Sequence, residues 1–276
     1  GGHAYVLLCA YHKFGDPRYL QHSKSAIEAL LAQKESRFYE ALLPLGVYTA
    51  AYLNAVEGAN YNVAKLLDWV FDGCKSPTGR TGWGIIVGKW GDYDVSGLQG
   101  SITDGGGYAF LMNSIKPAWP FIPMVKYQPQ YAKAIGKWMN NASACRLFYP
   151  GEIDEAHQWA PELKDITYDN VSYEGLRKTD DYGKASLKGV SPVAIGDGPK
   201  WIKGNPTESM FSVYSSSPVG ILGAIVCQTN VEGILRLDCN VTDFYTEKPY
   251  PVYLYYNPHK ETKTITYQAT QPCDLF

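Results

Sequence analysis

At 276 residues and 30.6 kDa, the chain is long enough for one large domain or two modest ones. Asp plus Glu (27) nearly balances Lys plus Arg (25), a formal net charge of −2 that argues against a nucleic-acid binder. A hydrophobic content of 45% excludes a disordered or fibrous chain, and no apolar run approaches the roughly 20 residues of a membrane span. Tyr (22) and Trp (7) far outnumber Phe (9), and rings with a polar handle suit ligands that present apolar faces and hydroxyls together, as sugars do.

In chain order, Leu20, Ile27, Leu30 and Leu31 mark a first amphipathic helix. Residues 38–58 differ, because Ala41, Leu42, Leu45, Val47, Ala50, Ala51, Leu53 and Val56 leave little polar face. That pattern predicts a helix buried in a layer formed by the others, with Pro44 tolerated in a first turn. Val63, Leu66, Leu67 and Val70 fall at i, i+3, i+4 and i+7, with Asn60 placed to cap the helix and Gly73 to end it. Ten of the 27 Gly then fall between Gly79 and Gly107, together with Trp83, Trp90, Asp92, Tyr93, Asp94, Asp104 and Tyr108. This density excludes a long helix and reads as a functional loop forming the mouth of a site. Tyr131, Ile135, Trp138, Met139 and Ala142 restore the helical stripe. About seven helices precede Pro150, alternating between exposed and buried types, as in hairpins stacked around a centre.

Residues 151–206 read as irregular and charged, and from about Ser209 the pattern turns to strands over 210–215, 219–228, 233–241, 252–256 and 262–267. Helices first and strands afterwards predict a segregated α+β chain and disfavour a βαβ fold. The expected division is a helical-hairpin portion (1–150), an irregular site-bearing connection (151–206) and an antiparallel β domain (207–276).

Several chemistries fail on spacing. Gly84, Gly88 and Lys89 miss the phosphate-loop pattern, Gly82, Gly84 and Gly88 miss the dinucleotide loop, and neither GxSxG nor HExxH occurs. The six Cys form no CxxC pair and no zinc-type spacing, so they read mostly as buried thiols, with Cys227 and Cys239 able to face each other if their strands pair. No metal and no cofactor is expected. What remains is carboxylates beside aromatics. Asp104, before three Gly and Tyr108, is either an N-cap or a site acid. The run Asp154-Glu155-Ala156-His157-Gln158-Trp159 packs two acids, an imidazole, an amide and an indole into six residues, a set suited to binding hydroxyls and moving protons. Tyr173-Glu174 is a weaker candidate, since Glu174 can pair with Arg177, and Asp197 between two Gly can simply shape a turn.

The segments 129–143 and 146–150, the Asp154–Gln158 cluster, Tyr173-Glu174-Gly175-Leu176, Gly220 to Gly223, 229–235 and 253–258 occur in an order that resembles a poorly characterised group of bacterial glycoside hydrolases of the six-hairpin type. The resemblance spans about Gly79 to Pro258 and implies an (α/α)6 toroid followed by a β domain, in an exported polysaccharide-degrading protein. A full toroid has twelve helices against the seven or so counted here. The chain also opens Gly1-Gly2-His3 without Met or a signal-peptide pattern, so the expectation is a fragment or processed product, in which either N-terminal hairpins precede Gly1 or the ring is incomplete.

Together these readings predict a glycoside hydrolase with Asp104 and Glu155 as the carboxylate pair and Asp154 and Glu174 as substitutes. His157 and Gln158 would bind hydroxyls, Trp83, Trp90 and Trp159 would stack on sugar rings, and Tyr93, Tyr108 and Tyr173 would complete the binding surface. The alternatives are a lyase acting on a uronate-containing glycan, with His157 or Tyr173 as base, and a glycan-binding module without chemistry. The expected partner is a carbohydrate, with no nucleic acid and no membrane span. The oligomeric state is left open.

Overall fold

A computed structural model describes residues 1–36, 38, 40–72, 74–75, 81–101, 107–167, 171–179, 184–196, 211–212, 216–243 and 250–267. Four helices open the chain: α1 (Gly2–Phe14), α2 (Pro17–Leu31), α3 (Leu42–Glu57) and α4 (Val63–Phe71). Gly15, in the left-handed region at φ 71°, ends α1, and Asp16 starts α2 by accepting from the Arg18 N–H at 2.9 Å, with Pro17 in the first turn. The two helices pack as a hairpin. As its composition predicts, α3 is buried almost all round, from Leu43 to Leu53, and Pro44 lies in its first turn. It packs against α1, α2 and α4. The cap of α4 is Asn62, whose Oδ1 accepts from the Lys65 N–H at 2.9 Å, and not Asn60; Gly73 lies outside the described residues.

The glycine-rich stretch departs from expectation. Its described part is strands: β1 (Cys74–Lys75), β2 (Thr81–Ile85), β3 (Lys89–Trp90), β4 (Tyr93–Asp94), β5 (Gln99–Ser101) and β6 (Tyr108–Phe110). With β7 (Gly175–Arg177) and β8 (Val193–Ile195) they build an antiparallel six-stranded sheet in the order β1-β2-β5-β6-β7-β8, beside the hairpin β3-β4. Glycine serves here to let chains approach. A Cβ at Gly100 would stand 2.0 Å from the Tyr108 carbonyl oxygen on the neighbouring strand.

The sheet separates two cores by the period-2 alternation of strand side chains. Trp83, Tyr108 and Phe110 face the first core with α1–α4, α6 (Ala118–Met124) and α7 (Ala132–Asn141), while Ala109, Leu176 and Ala194 face a second with α5 (Leu111–Ile115), Leu147, Phe148 and Tyr173. Another short helix, α8 (Lys164–Thr167), lies in the connection.

Toward the C-terminus, residues 219–225 are helical rather than extended: α9 (Ser216–Ile225) runs directly into β9 (Val226–Gln228). A short apolar run such as Ile221-Leu222-Gly223-Ala224-Ile225 carries no period that separates helix from strand, and packing of Ile225 in the first core decides it. With β9, β10 (Leu235–Asp238) and β11 (Tyr253–Tyr255) form an antiparallel sheet in the order β11-β10-β9. Residues 262–267 join no ladder; the Asn230 side chain takes a strand's place, donating to the Thr264 carbonyl at 3.1 Å and accepting from the Thr266 N–H at 2.8 Å. Of the 210–215 strand, only Phe211 and Ser212 are described, Phe211 in a bridge to Tyr173. Cys227 lies opposite Arg236 and is unbonded to Cys239; both are free thiols, as is Cys145. The chain is α+β, with helices and antiparallel sheets, and no described helix is long and apolar enough to cross a membrane.

Candidate functional site

Residues far apart in sequence meet where the β3-β4 hairpin crosses the edge of the six-stranded sheet. The Tyr93 hydroxyl donates to Asp154 Oδ2 at 2.6 Å and accepts from the Asp154 N–H at 3.2 Å, so one phenol holds both the carboxylate and the backbone. Burial, and then the bond to Asp154, raises the pKa of Tyr93, keeping it a neutral donor. His157 lays its ring against Tyr93 edge to face, centroids 4.9 Å apart, and its Nδ1 lies 2.7 Å from the Pro192 carbonyl. Gly91, at φ 55°, allows the hairpin to touch the same turn: a Cβ there would stand 2.0 Å from the Ser191 carbonyl oxygen.

From Ser191 the contacts continue inward. Its Oγ donates to the Lys178 carbonyl at 2.6 Å, and the Lys178 N–H donates to the Gly107 carbonyl at 3.1 Å. Next to Gly107, the Tyr108 hydroxyl donates to Oε1 of half-buried Glu174 at 2.8 Å, while the Arg177 guanidinium lies 4.3 Å from the centre of the Tyr108 ring. Pairing of β6 with β7 fixes this arrangement by setting Tyr108 opposite Arg177. Glu174 therefore accepts from a phenol, and Arg177 is engaged with that same ring.

The other candidates separate from this face. Asp104 and Asp197 lie outside the described residues; residues 108–110, a little beyond Asp104, form a strand and not a helix. Glu155 is exposed and paired with Lys164. Trp83 and Trp90 are core residues, 4% and 5% exposed, and offer no open ring face for stacking. Gln158 is buried and donates to the carbonyls of Pro150 and Ile153 at 2.9 and 2.6 Å, holding its own loop closed. Tyr173 is wholly buried, stacks on Phe211 and accepts from the Ala160 N–H at 2.9 Å; burial pushes its hydroxyl far up, removing it as a base. Trp159 is half-buried, with the Lys184 ammonium 4.9 Å from its ring.

One carboxylate escaped the sequence reading. Asp243 is 0% exposed and accepts from the hydroxyls of Tyr48 and Tyr127, each at 2.7 Å, and pairs with the Lys126 ammonium. Burial pushes its pKa up, but the bonds from Lys126, Tyr127 and Tyr48 outweigh burial and hold it below the usual carboxylate value. No local motif announces this group, because its partners come from α3 and the turn after α6. Among the described residues, no group of three or more His, Cys, Asp or Glu is placed to hold a metal ion.

Set beside protein-family models, curated proteins and solved structures, the chain matches none of them.

Proposed function

We propose that the chain is a glycoside hydrolase whose carboxylates are drawn from the face built by Asp154 and Glu174, with Asp104 kept as a candidate from the sequence. The observation that carries this reading is the half-buried Glu174 accepting from Tyr108 beside Arg177, on the paired strands β6 and β7. Hydrolysis needs one carboxylic acid to protonate the leaving oxygen and a second carboxylate to activate water or attack the sugar. In this reading Glu174 is the acid, Asp154 or Asp104 the second carboxylate, and His157 a hydroxyl-binding group. The stacked hairpins α1–α2 and α3–α4, with apolar α3 inside, support a helical arrangement of the (α/α) toroid type, and an exported protein is part of the same reading.

A second reading is favoured by Arg177. A lyase needs positive charge against a uronate carboxylate and a nearby phenol or imidazole, and Arg177, Tyr108 and His157 supply those types. A digestion panel of neutral and acidic polysaccharides, following reducing ends and ultraviolet absorbance together, separates the two. Reducing ends without absorbance, abolished in Glu174→Gln, support the hydrolase. Absorbance from a uronate polymer supports the lyase. Binding without turnover, unchanged in Glu174→Gln and Asp154→Asn, leaves a glycan-binding module.

A further inference from the structure

The hairpin α3–α4 and the turn before α7 enclose an open pocket of about 520 Å³, within the usual range for small-ligand sites. Its polar lining is unusual in kind. Asn54, Asn60, Asn62 and Gln128 supply four carboxamides, Tyr61 and Tyr131 supply two phenol rings, and no charged side chain lines it.

The walls are fixed by bonds that use only part of this set. Asn54 donates to the Tyr61 carbonyl at 2.9 Å and accepts from the Tyr61 N–H at 2.7 Å, which pins the connection between the helices. The Asn62 Oδ1 caps α4, but its Nδ2 makes no hydrogen bond among the described residues, and neither atom of the exposed Asn60 carboxamide makes one. Gln128 shares one amide atom with Gln130 and keeps the other. Three charges on the surrounding helices are committed elsewhere. Lys65 Nζ donates to the Leu31 and Gln33 carbonyls, Glu57 pairs with Lys24, and Glu28 accepts from the Tyr61 hydroxyl.

We infer that this pocket binds a neutral saccharide unit. A carboxamide donates and accepts side by side, the pattern that adjacent sugar hydroxyls present, and tyrosine rings cover the apolar C–H faces of a sugar. An uncharged lining gives no counter-charge to a carboxylate, phosphate or ammonium, so uronates, phosphosugars and amino sugars are disfavoured relative to neutral ones. The pocket lies on different elements from Tyr108, Asp154 and Glu174, and the inference stands without any assignment of chemistry to that face.

Titration calorimetry of the intact chain with glucose, galactose, mannose, xylose and their β-linked disaccharides, against glucuronate and glucose 6-phosphate, tests it. At least one neutral sugar is expected to bind saturably in the millimolar range, with the charged analogues weaker. Asn60→Ala and Tyr131→Ala should each weaken that binding about tenfold. Asn62→Asp keeps the cap oxygen and replaces the free donor, and should weaken binding similarly with the melting temperature retained. Turnover in Glu174→Gln, assayed separately, tests the hydrolase reading, so failure of the pocket and failure of that reading show up separately. No saturable binding by any neutral sugar, binding indifferent to Asn60→Ala and Tyr131→Ala, or tighter binding of a blocked dipeptide would overturn the inference.

Discussion

Two regions of this protein hold a carboxylate with tyrosine, and they do so to opposite ends. Asp243 is sealed: two phenols and an ammonium meet its two oxygens, with no exposed surface. Asp154 is exposed, takes one phenol on Oδ2, and leaves Oδ1 without a partner among the described residues. A neutralised, fully bonded acid in the interior stabilises a fold and has nothing left to offer a ligand. An acid held by one bond at the surface contributes little to stability and keeps acceptor capacity for a ligand. Glu174 lies between these extremes, half-buried and bonded to Tyr108. The chemistry of the residue type is the same at all three positions; what distinguishes them is how many donors the fold brings and from how far.

The comparison can be broken most forcefully at Asp243. Asp243→Ala removes the anion from the Lys126 ammonium, which is 14% exposed and, among the described residues, keeps only the neutral Asn240 side chain as acceptor at 2.9 Å, and should cost about 3–5 kcal/mol in urea unfolding. A loss below about 1 kcal/mol would show that the pair is solvated and remove the contrast. If the proposed hydrolase reading holds, the largest effect at the Asp154–Glu174 face is kinetic: Glu174→Gln should lower turnover about a hundredfold or more, with stability changed by less than about 1 kcal/mol.

Next come Tyr48→Phe and Tyr127→Phe. Each deletes a 2.7 Å bond to a charged acceptor and should cost about 1.5–3 kcal/mol. The pH dependence gives the sign. Because the folded-state pKa of Asp243 is depressed, its contribution is present above the unfolded value of about 3.9 and is lost as the pH falls through the lower folded value. Urea midpoints measured from neutral to acid pH should therefore fall in this window less steeply in Asp243→Asn than in the parent. Parallel curves would show that other carboxylates govern acid unfolding. The smallest effect is at Tyr93→Phe, expected to cost about 0.5–1.5 kcal/mol through the loss of both bonds to Asp154. A larger loss there would place Asp154 with Asp243 as a structural acid.

The helical layer is well written into the chain. Residues whose role depends on neighbours three and four positions away, such as Leu66, Leu67 and Val70 in α4 or Ile135, Trp138 and Met139 in α7, reveal their burial by spacing alone. The apolar circumference of α3 likewise shows that it is interior. The strands of the six-stranded sheet are concealed because glycine is a loop signal in isolation and a close-packing residue beside another strand. Only the close approach of the Tyr108 carbonyl to Gly100, across the β5–β6 pair, distinguishes the two cases. Trp83 and Trp90 mislead for a similar reason, since an indole that fills a core and one that stacks on a ligand are the same letter. At the candidate site, Asp154, His157 and Glu174 are legible as chemistry-bearing residues, but their link through Tyr93, the Ser191–Pro192 turn and Tyr108 exists only in three dimensions. Asp243 leaves no trace at all, because Tyr48 lies 195 residues before it.

That separation also orders events during synthesis. Tyr48, Lys126 and Tyr127 emerge from the ribosome long before Asp243, so a nascent chain that has made all of α1–α7 still lacks the anion that satisfies its central ammonium. Closing so distant a contact is slow relative to forming the helices themselves. The charge of Lys126 can therefore be neutralised only once the polypeptide reaches the residues just beyond β10.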